Sequence, residues 1–293
     1  MKLVDFHMHT THSDGSYAPR QLLQYCKIKG LACVSVTDHD TMSSFEECHD
    51  EAGKLGIELV PGVEMSVQFE PGTLHILGFF LDRTHPKLQK VLDEIQQARR
   101  ERNPQIISRL NRAGIEIGLE EVAEKSYGTK EIPQGKQLGR PHFAKVLVEK
   151  GYVKTLEEAF EKYLAKGRPA YVDKRRLTSE EAIGVIRESG GVASVAHPKQ
   201  MRLDPEKLKK KIGDLADQGL EGIEVYNSCQ GAEENRLYQK IAKRFDLVET
   251  GGSDFHGSHK PHVDLGYLGP HVKLDYAMVE ALKKCLQKRL KSS

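Results

Sequence analysis

The sequence predicts an α/β fold with a mostly parallel sheet, open or closed into a barrel, that a helical insertion interrupts. Strand and helix signals alternate through the first hundred residues, and strand signals return after about residue 190. Between about residues 86 and 188, helix signals dominate and strand signals almost vanish. Because such alternation is typical of parallel α/β sheets, we expect one α/β domain in two parts. The expected division is residues 1–97 and 173–293 for this domain and 98–172 for the insertion.

The elements of the first part follow from short apolar runs separated by helix signals. Val4 and Phe6 indicate a short buried strand. Pro19 to Lys29 then reads as a helix that Gly30 ends. The elements expected after it are a strand at 31–37, a helix at 43–55 and strands at 57–67 and 75–81.

The second part repeats this order after the insertion. The expected strands are 191–196, 222–226 and 247–251, and the expected helices are 205–218 and 232–245. The C-terminal stretch LKKCLQKRLKSS is basic and amphipathic, which favours a final helix with a solvated face.

Composition excludes several classes of protein. Of the 293 residues, 38% are hydrophobic and 29% are charged, a composition typical of globular proteins. The 44 Lys and Arg residues nearly balance the 42 Asp and Glu residues, which gives a net charge of +2. The five cysteines form no CxxC pair, which indicates free thiols in a reducing compartment. Asp5 and His7 interrupt any early apolar run, and no run approaches the roughly 18 apolar residues of a membrane span. We therefore expect a cytoplasmic protein. The sequence contains neither of the glycine-rich nucleotide-binding motifs GxGxxG and GxxxxGK[ST], and it lacks the GxSxG motif of serine hydrolases. These absences disfavour a dinucleotide-binding or P-loop protein and a serine hydrolase.

The N-terminal stretch HMHTTHSDG carries the first chemical signal. His7 and His9 alternate directly after the first strand, so both imidazoles point to the same side. His12 and Asp14 follow within five residues. Two convergent imidazoles beside further ligands predict half of a metal cage at the end of this strand.

Similar residues recur at the other strand ends, where α/β proteins place their sites. Buried imidazoles and carboxylates are costly unless paired or coordinated, so this recurrence predicts a polynuclear metal site. Because imidazole and carboxylate occur without thiolate, the sequence indicates Mn, Zn or Fe. The recurring residues are Asp38, His39 and Asp40 in SVTDHDT, Glu64 in PGVEMS, His75 in TLHILG, His197 in SVAHP, and Asp254 and His256 in GGSDFHG.

These motifs together resemble the PHP family, named for polymerase and histidinol phosphatase. The motif order agrees over both halves of the chain. The resemblance implies a distorted seven-stranded (β/α) barrel with three divalent metal ions, Mn²⁺ first and Zn²⁺ or Fe²⁺ as alternatives, at the carboxyl ends of its strands. In the insertion, GRPHFAKVLVEKGYV and YLAKGRPAYV resemble the subgroup that hydrolyses nucleoside 3′,5′-bisphosphates, some members of which trim RNA from the 5′ end.

The resemblance also implies three sets of metal ligands. The first is His7, His9, Glu64 and Asp254; the second shares Glu64 and adds His75 and His197; the third is Asp14, His39 and His256. His12 lies near Asp14 and can replace or support it. Asp38 either orients a ligand histidine, which we favour, or joins a hydrogen-bond network at the strand end.

The expected reaction is hydrolysis of a nucleotide phosphomonoester, most simply the 3′-phosphate of a nucleoside 3′,5′-bisphosphate. Two ions about 3.5–4 Å apart can activate a bridging hydroxide for in-line attack on phosphorus. The leaving oxygen needs a proton, for which Asp40, His12 or a coordinated water are the candidates. The candidates for holding the second phosphate are Arg140, Lys166 and Arg168, because cationic side chains match phosphate oxygens. His142 either contacts substrate or packs at a helix start.

Three alternatives remain open on the sequence. A histidinol-phosphate phosphatase would use the same metal site without the basic insertion, and a 5′–3′ exoribonuclease would need a longer, salt-sensitive track for short RNA. A non-enzymatic, metal-stabilised module is disfavoured because every expected ligand position is filled. The expected partners are a small nucleotide and, in the second alternative, short RNA, with no membrane and no obligate protein partner.

Overall fold

The computed structural model describes residues 2–173, 175–269 and 272–292 and confirms the α/β class. The described residues form eight strands and ten α-helices. The strands are β1 (Leu3–Asp5), β2 (Leu31–Val34), β3 (Glu58–Leu59), β4 (Gly62–Val67), β5 (Leu74–Phe79), β6 (Val192–Val195), β7 (Gly222–Asn227) and β8 (Val248–Gly252). The helices are α1 (Pro19–Ile28), α2 (Phe45–Leu55), α3 (Pro86–Arg112), α4 (Leu119–Tyr127), α5 (Arg140–Glu149), α6 (Leu156–Ala159), α7 (Ser179–Glu188), α8 (Pro205–Asp217), α9 (Ala232–Arg244) and α10 (Tyr276–Ser292).

The strands pair in two sheets, one of order β1-β2-β3 and one of order β4-β5-β6-β7-β8. Single parallel bridges connect the sheets at both sides, from Met8 to Phe255 and from His39 to Glu64. Both bridges lie beyond the carboxyl end of a strand. The described residues thus contain eight strands in two bridged sheets, where the resemblance implies a seven-stranded barrel.

Strand β5 departs from the expected parallel arrangement, since it runs antiparallel to both β4 and β6. Only residues 68–73 connect β4 to β5, and a parallel crossover needs a dozen or more residues. The antiparallel register pairs His75, near the start of β5, with Ser66, near the end of β4. The reversal therefore brings His75 to the end of the sheet at which Glu64 lies.

The apolar core divides along the chain. One large cluster packs the second sheet against α7, α8 and α9, with Ile76, Ile186 and Ile223 completely buried. A separate cluster contains only side chains from residues 106–172, among them Phe143 and Leu147. The predicted boundary after residue 97 lies inside the continuous helix α3, so this helix belongs to both regions.

The C-terminal basic stretch forms α10, as predicted. Arg289 of this helix pairs with Glu221 at 3.0 Å, and Lys288 pairs with Asp246 at 2.7 Å. Among the helices of the described ranges, none is long and apolar enough to cross a membrane.

Candidate metal centre and substrate cavity

The nine predicted metal ligands converge on one largely buried cluster at one end of the two sheets. The structure groups potential ligand atoms that lie within 4.8 Å of one another as His7, His9, Glu64 and Asp254; His9, Asp14, His39 and His256; and His39, Glu64 and His75. His197 joins the cluster through Glu64, whose Oε1 lies 2.8 Å from His197 Nε2. The first group is the first set that the resemblance implies. In the other two, His9 and His39 are shared between neighbouring groups.

Glu64 lies at the centre of this cluster, fully buried on β4. Both of its carboxylate oxygens face imidazole nitrogens, so it is placed to bridge two ions. Oε2 lies 3.1 Å from His7 Nε2, 3.2 Å from His9 Nε2 and 3.1 Å from His39 Nδ1, and Oε1 lies 2.7 Å from His75 Nδ1 and 2.8 Å from His197 Nε2.

Several polar atoms of the cluster are buried without a hydrogen-bond partner. Leaving such atoms unpaired is costly, and native structures rarely do so without a ligand, ion or water. Lone pairs of imidazole and carboxylate that converge on one point are satisfied by cations, so these residues fit divalent metal ions. The atoms are His7 Nε2, His9 Nε2, Asp14 Oδ1, His39 Nδ1 and Glu64 Oε2.

The electrostatics of the cluster keep its carboxylates ionised. Burial would raise the pKa of Glu64, but the imidazoles of His39 and His7 hold it well below its usual range. Burial would also raise the pKa of Asp254. The ammonium group of Lys260, 2.6 Å from Asp254 Oδ2, instead holds the pKa of Asp254 well below its usual range. Burial alone would lower the pKa of His9, but the carboxylates of Asp254 and Glu64 raise it to about 9.

Close backbone packing positions these side chains. Gly252, the last residue of β8, lies so near β1 that a Cβ built there would overlap the backbone nitrogen and Cβ of His7. The adjacent chain then turns, since Asp254 adopts a φ of 57° in the left-handed region, and its amide donates to His7 O at 2.7 Å. The tight contact between β1 and the end of β8 therefore sets where His7 and Asp254 point.

Asp38 holds the loop that carries Asp14. Its carboxylate accepts hydrogen bonds from Thr10 N and Oγ1, both at 2.7 Å, from Ser13 Oγ at 2.7 Å and from Ser44 Oγ at 2.5 Å. Ser13 Oγ in turn lies 3.3 Å from His9 Nδ1. Asp38 thus forms a hydrogen-bond network at the strand end and reaches a ligand histidine only through Ser13.

The two predicted proton donors lie beside the cluster, outside its ligand groups. The carboxylate of Asp40 is fully buried, accepts from Ser66 N at 2.7 Å and is ion-paired with Arg99. His12 Nδ1 lies 2.8 Å from Ser43 Oγ, and burial lowers the pKa of its ring. Asp14 rather than His12 therefore takes part in the ligand groups.

A cavity of about 770 Å³ opens from the cluster toward the insertion. Asp14, His39 and His75 line one part of it. Its lining carries seven cationic side chains against three carboxylates, so its wall is strongly basic. The cations are Arg99, Arg102, Arg140, Lys166, Arg168, Arg176 and Arg202, and the carboxylates are those of Asp14, Glu70 and Glu161.

Three of the four predicted substrate-binding residues line this cavity, namely Arg140, Lys166 and Arg168. Arg140 donates to Leu164 O at 3.1 Å and lies over the rings of Tyr171 and Phe160, at 5.3 and 5.9 Å. Lys166 is ion-paired with Glu70 from the β4–β5 connection.

The fourth, His142, lies outside the cavity lining. Its Nδ1 accepts from Gly139 N at 3.0 Å at the start of α5, and burial lowers the pKa of the ring to about 4. In this structure His142 packs at a helix start, which is the second of the two expected roles.

The geometry of this site agrees with comparisons to known proteins. A family model described as PHP domain matches residues 5–228. The chain belongs to this family. The match ends before Asp254 and His256, which complete the cluster from the segment after β8.

Two curated relatives extend over nearly the whole chain. A protein of Escherichia coli K12 named 5′–3′ exoribonuclease Rnm is 34% identical over 266 residues, which cover 90% of this chain and 88% of that protein. A protein of Chromobacterium violaceum named 3′,5′-nucleoside bisphosphate phosphatase is 32% identical over 267 residues, 91% of this chain and 92% of the relative.

A solved structure shares the whole fold. It is described as an amidohydrolase from Chromobacterium violaceum with bound sulfate and no metal. It superposes with a TM-score of 0.83 at 32% identity and covers 95% of this chain and 96% of the other. A second solved structure, described as a metal-dependent phosphoesterase from Bifidobacterium adolescentis, superposes with a TM-score of 0.84 at 28% identity and covers 97% of this chain and 96% of the other. Family and relatives together make this PHP protein a metal-dependent phosphoric ester hydrolase.

Sequence reasoning missed several residues of the site. Arg99 and Arg102 lie in the charged run QQARRERN, where their spacing of three places them on one face of α3. Arg176 belongs to the basic run beside residue 173. Glu224 was missed although it is an acidic residue inside the apolar strand GIEVY, which is an unusual position for a charge.

Proposed function

We propose that this enzyme removes the 3′-phosphate from nucleoside 3′,5′-bisphosphates. The observation that carries the proposal is one cavity whose lining includes metal-ligating side chains and a wall of cationic ones. A substrate with two phosphates fits such a cavity, because one phosphate can lie at the cluster and the other against the cationic wall. The relative named 3′,5′-nucleoside bisphosphate phosphatase supports the same choice.

The cationic wall is built for an anion. Arg99 and Arg102 are 8% and 4% exposed, and arginine is seldom buried without a partner. Among the described residues Arg99 is ion-paired with the carboxylate of Asp40, whereas Arg102 forms no such ion pair. Arg99, Arg102, Arg140 and Arg176 all line this cavity. Burial and then the charges of the other three lower the pKa of Arg102. A phosphate dianion would relieve their repulsion and accept paired N–H bonds from them.

We infer that the nine clustered side chains hold three divalent ions, with Mn²⁺ first and Zn²⁺ or Fe²⁺ as alternatives. Eight of them place their donor atoms in three overlapping groups, and His197 faces the shared Glu64. Ions bound there would activate water for attack on phosphorus and neutralise charge on the phosphoryl oxygens. The chain itself orients the imidazoles, keeps the carboxylates ionised and holds the 3′-phosphate next to the cluster. Glu64 is shared between groups because both of its oxygens face ligands.

We propose that, of the two candidate side chains, His12 rather than Asp40 protonates the leaving oxygen. The ion pair between Asp40 and Arg99 opposes protonation of this carboxyl group. We therefore give Asp40 the role of fixing Arg99 at the boundary between the cluster and the cationic wall. The His12 ring is hydrogen-bonded to Ser43, and because burial lowers its pKa, it would donate this proton only at acidic pH.

A second candidate is 5′–3′ exoribonuclease activity on short RNA, which the name of the E. coli relative favours. It uses the same cluster for phosphodiester cleavage and the cationic wall for a 5′-phosphate. A histidinol-phosphate phosphatase fits less well, because its cationic substrate would meet seven cationic side chains.

The deciding experiment compares adenosine 3′,5′-bisphosphate, AMP, histidinol phosphate and a short 5′-phosphorylated RNA in the presence of Mn²⁺. We expect fast phosphate release from the bisphosphate, with AMP as the product and slow turnover of AMP itself. Faster turnover of the RNA, falling steeply with salt, would favour the exoribonuclease. Turnover confined to histidinol phosphate would contradict both.

Three further features are proposed with this function. We propose that the two bridged sheets serve as the distorted seven-stranded barrel of the family, and that residues 98–172 act as a substrate-recognition module, since they supply Arg140, Lys166 and Arg168. We also propose a cytoplasmic enzyme, because all five cysteines are unpaired.

A further inference from the structure

Glu224 is a completely buried carboxylate at the back of the metal centre. It lies on β7 between Ile223 and Val225, which are also completely buried. Its Oε1 lies 2.9 Å from His7 Nδ1. Its Oε2 accepts from His197 N at 2.6 Å and from Asn227 Nδ2 at 3.0 Å. A charge so deeply buried is tolerated only when it is paired in this way.

The contact with His7 decides which ring nitrogen can bind a cation. An ionised carboxylate only accepts hydrogen bonds, so Nδ1 of His7 carries the hydrogen and Nε2 keeps its lone pair. That Nε2 lies 3.1 Å from Glu64 Oε2 and 3.5 Å from Asp254 Oδ1, and it has no hydrogen-bond partner. Glu224 therefore turns the free nitrogen of His7 toward the other ligands.

The other oxygen of Glu224 acts on a second ligand segment. His197 has a φ of 26°, a conformation that residues other than glycine rarely adopt. Its amide is fixed by Glu224 Oε2, while its Nε2 lies 2.8 Å from Glu64 Oε1. One buried carboxylate thus holds predicted ligands from two strand ends.

We propose that Glu224 is a positioning residue of the metal centre, which sets the ring of His7 and the backbone of His197 for metal binding without contacting the metal itself. The inference rests on the proposed metal site. Carboxylates behind ligand histidines raise ligand basicity and fix ring orientation, and their loss costs 10–100-fold in metal affinity or activity.

Glutamine cannot replace Glu224 although it has nearly the same shape. With the amide oxygen toward His7, its NH₂ group would meet the donors His197 N and Asn227 Nδ2. With the NH₂ group toward His7, Nδ1 would have to accept, and the hydrogen would move to the nitrogen that must bind the ion. Both orientations therefore disturb a ligand.

The test is titration calorimetry of the full chain with Mn²⁺ after chelation, for the wild type, Glu224→Gln and Glu249→Gln. Glu249 lies on the neighbouring strand β8, away from the ligand groups, and provides the same change of charge. We expect Glu224→Gln to weaken at least one Mn²⁺ site by 10–100-fold and Glu249→Gln to leave all sites unchanged. Equal affinities in all three proteins would overturn the inference.

A double-mutant cycle with His7→Ala separates positioning from a general structural effect. If Glu224 acts through His7, the two substitutions together weaken Mn²⁺ binding by much less than the product of their separate factors. Multiplicative losses would contradict the role assigned to His7.

Asn227→Ala covers the case in which Glu224→Gln does not fold. This variant keeps the Glu224 carboxylate and removes one of the groups that donate a hydrogen bond to it. We therefore expect the same Mn²⁺ site to bind several-fold more weakly. Unchanged affinity in a folded Asn227→Ala protein would count against the inference. If the wild type bound none of Mn²⁺, Zn²⁺ and Fe²⁺, the proposed function and this inference would both fail. Normal wild-type binding with an unaffected Glu224→Gln would remove only this inference.

Discussion

At the scale of single residues, the cluster depends on Glu64 more than on any one histidine. Each imidazole offers one nitrogen, whereas the Glu64 carboxylate faces five imidazoles through two oxygens. Burial makes its ionisation costly, and the neighbouring rings or bound cations offset that cost. Charge rather than shape is therefore what this position requires.

We predict that Glu64→Gln lowers kcat/KM for the bisphosphate by about 1,000-fold, since several kcal/mol of charge stabilisation depend on the metal site. Metal content, measured on the purified variant, should fall as well. Glu188→Gln, at an exposed glutamate paired with Lys87, serves as the control and should match the wild type. A variant at position 64 that kept its metal and was within tenfold of normal activity would refute the central role.

Substitution of Arg140 tests whether the cationic wall of the cavity binds the second phosphate of the substrate. We predict that Arg140→Ala raises KM for adenosine 3′,5′-bisphosphate about tenfold or more, because a charged hydrogen bond to the second phosphate contributes about 1.5–3 kcal/mol. KM for a substrate with only one phosphate should change little. Steady-state kinetics on both substrates measure the difference.

The matched control for this measurement is Arg175→Ala, an exposed arginine paired with Glu94 and outside the cavity lining. Equal losses on both substrates in Arg140→Ala would instead assign Arg140 to structure, through its bond to Leu164 O.

At the scale of secondary structure, the site depends on strands that approach one another without side chains between them. β8 ends in Gly251 and Gly252, and the chain after it donates to His7 O and accepts from His9 N at 2.9 Å through Phe255 O. Because residue 252 has no Cβ, the end of β8 can lie directly against the backbone of the segment that contains His7 and His9. The spacing of the ligands is thus a property of the strand pair.

We predict that Gly252→Ala destabilises the protein by about 1–3 kcal/mol, as expected of overpacking, and also weakens metal binding. Urea unfolding without metal and Mn²⁺ titration measure the two effects separately. Gly53→Ala is the control, since nothing lies within 4 Å of its added Cβ in helix α2. It should raise stability by about 0.5–1 kcal/mol and leave the metal affinity unchanged. Normal metal affinity in Gly252→Ala would show that the ligands do not depend on this contact.

At the scale of the whole molecule, metal binding and folding stability are linked through protonation. In the metal-free protein the pKa of His9 is raised to about 9, so its stabilising contribution is complete below its unfolded pKa of about 6.5 and is lost as pH rises through 9. His39 has the opposite shift, to about 3, so the stability that it costs at low pH is recovered as pH rises through its unfolded pKa and is nearly constant above that. Cations need neutral rings and therefore compete with these protons.

We predict that the melting temperature with Mn²⁺ exceeds that with chelator by an amount that grows from pH 6.5 to pH 8.5. Loss of proton-linked stability lowers the metal-free value, while metal binding strengthens as the rings lose their protons. Thermal unfolding in both conditions across this range provides the measurement. A difference that stayed constant or shrank with pH would contradict this account of His9.

The sequence alone identified much of the fold and of the candidate centre. The α/β class is confirmed. Eight of the nine residues predicted as ligands lie in overlapping groups, and His197 contacts Glu64 within the same cluster. These could be predicted because most ligand residues follow apolar strands, and the strand ends of an α/β sheet meet at one edge. Glu64 and His75 lie within β4 and β5 and reach the same end of the sheet. The roles of the single residues stay predictions.

Other features were decided only by the tertiary structure. The antiparallel direction of β5 follows from pairing with β4 and β6, which no local pattern records. The ion pair of Asp40 with Arg99 and the contact of Glu224 with His7 join residues 59 and 217 positions apart. Local sequence determines which residues can bind metal and phosphate, because that depends on their own chemistry and on strand periodicity. Which of these residues contact and orient one another depends on distances that are set only when the chain is folded.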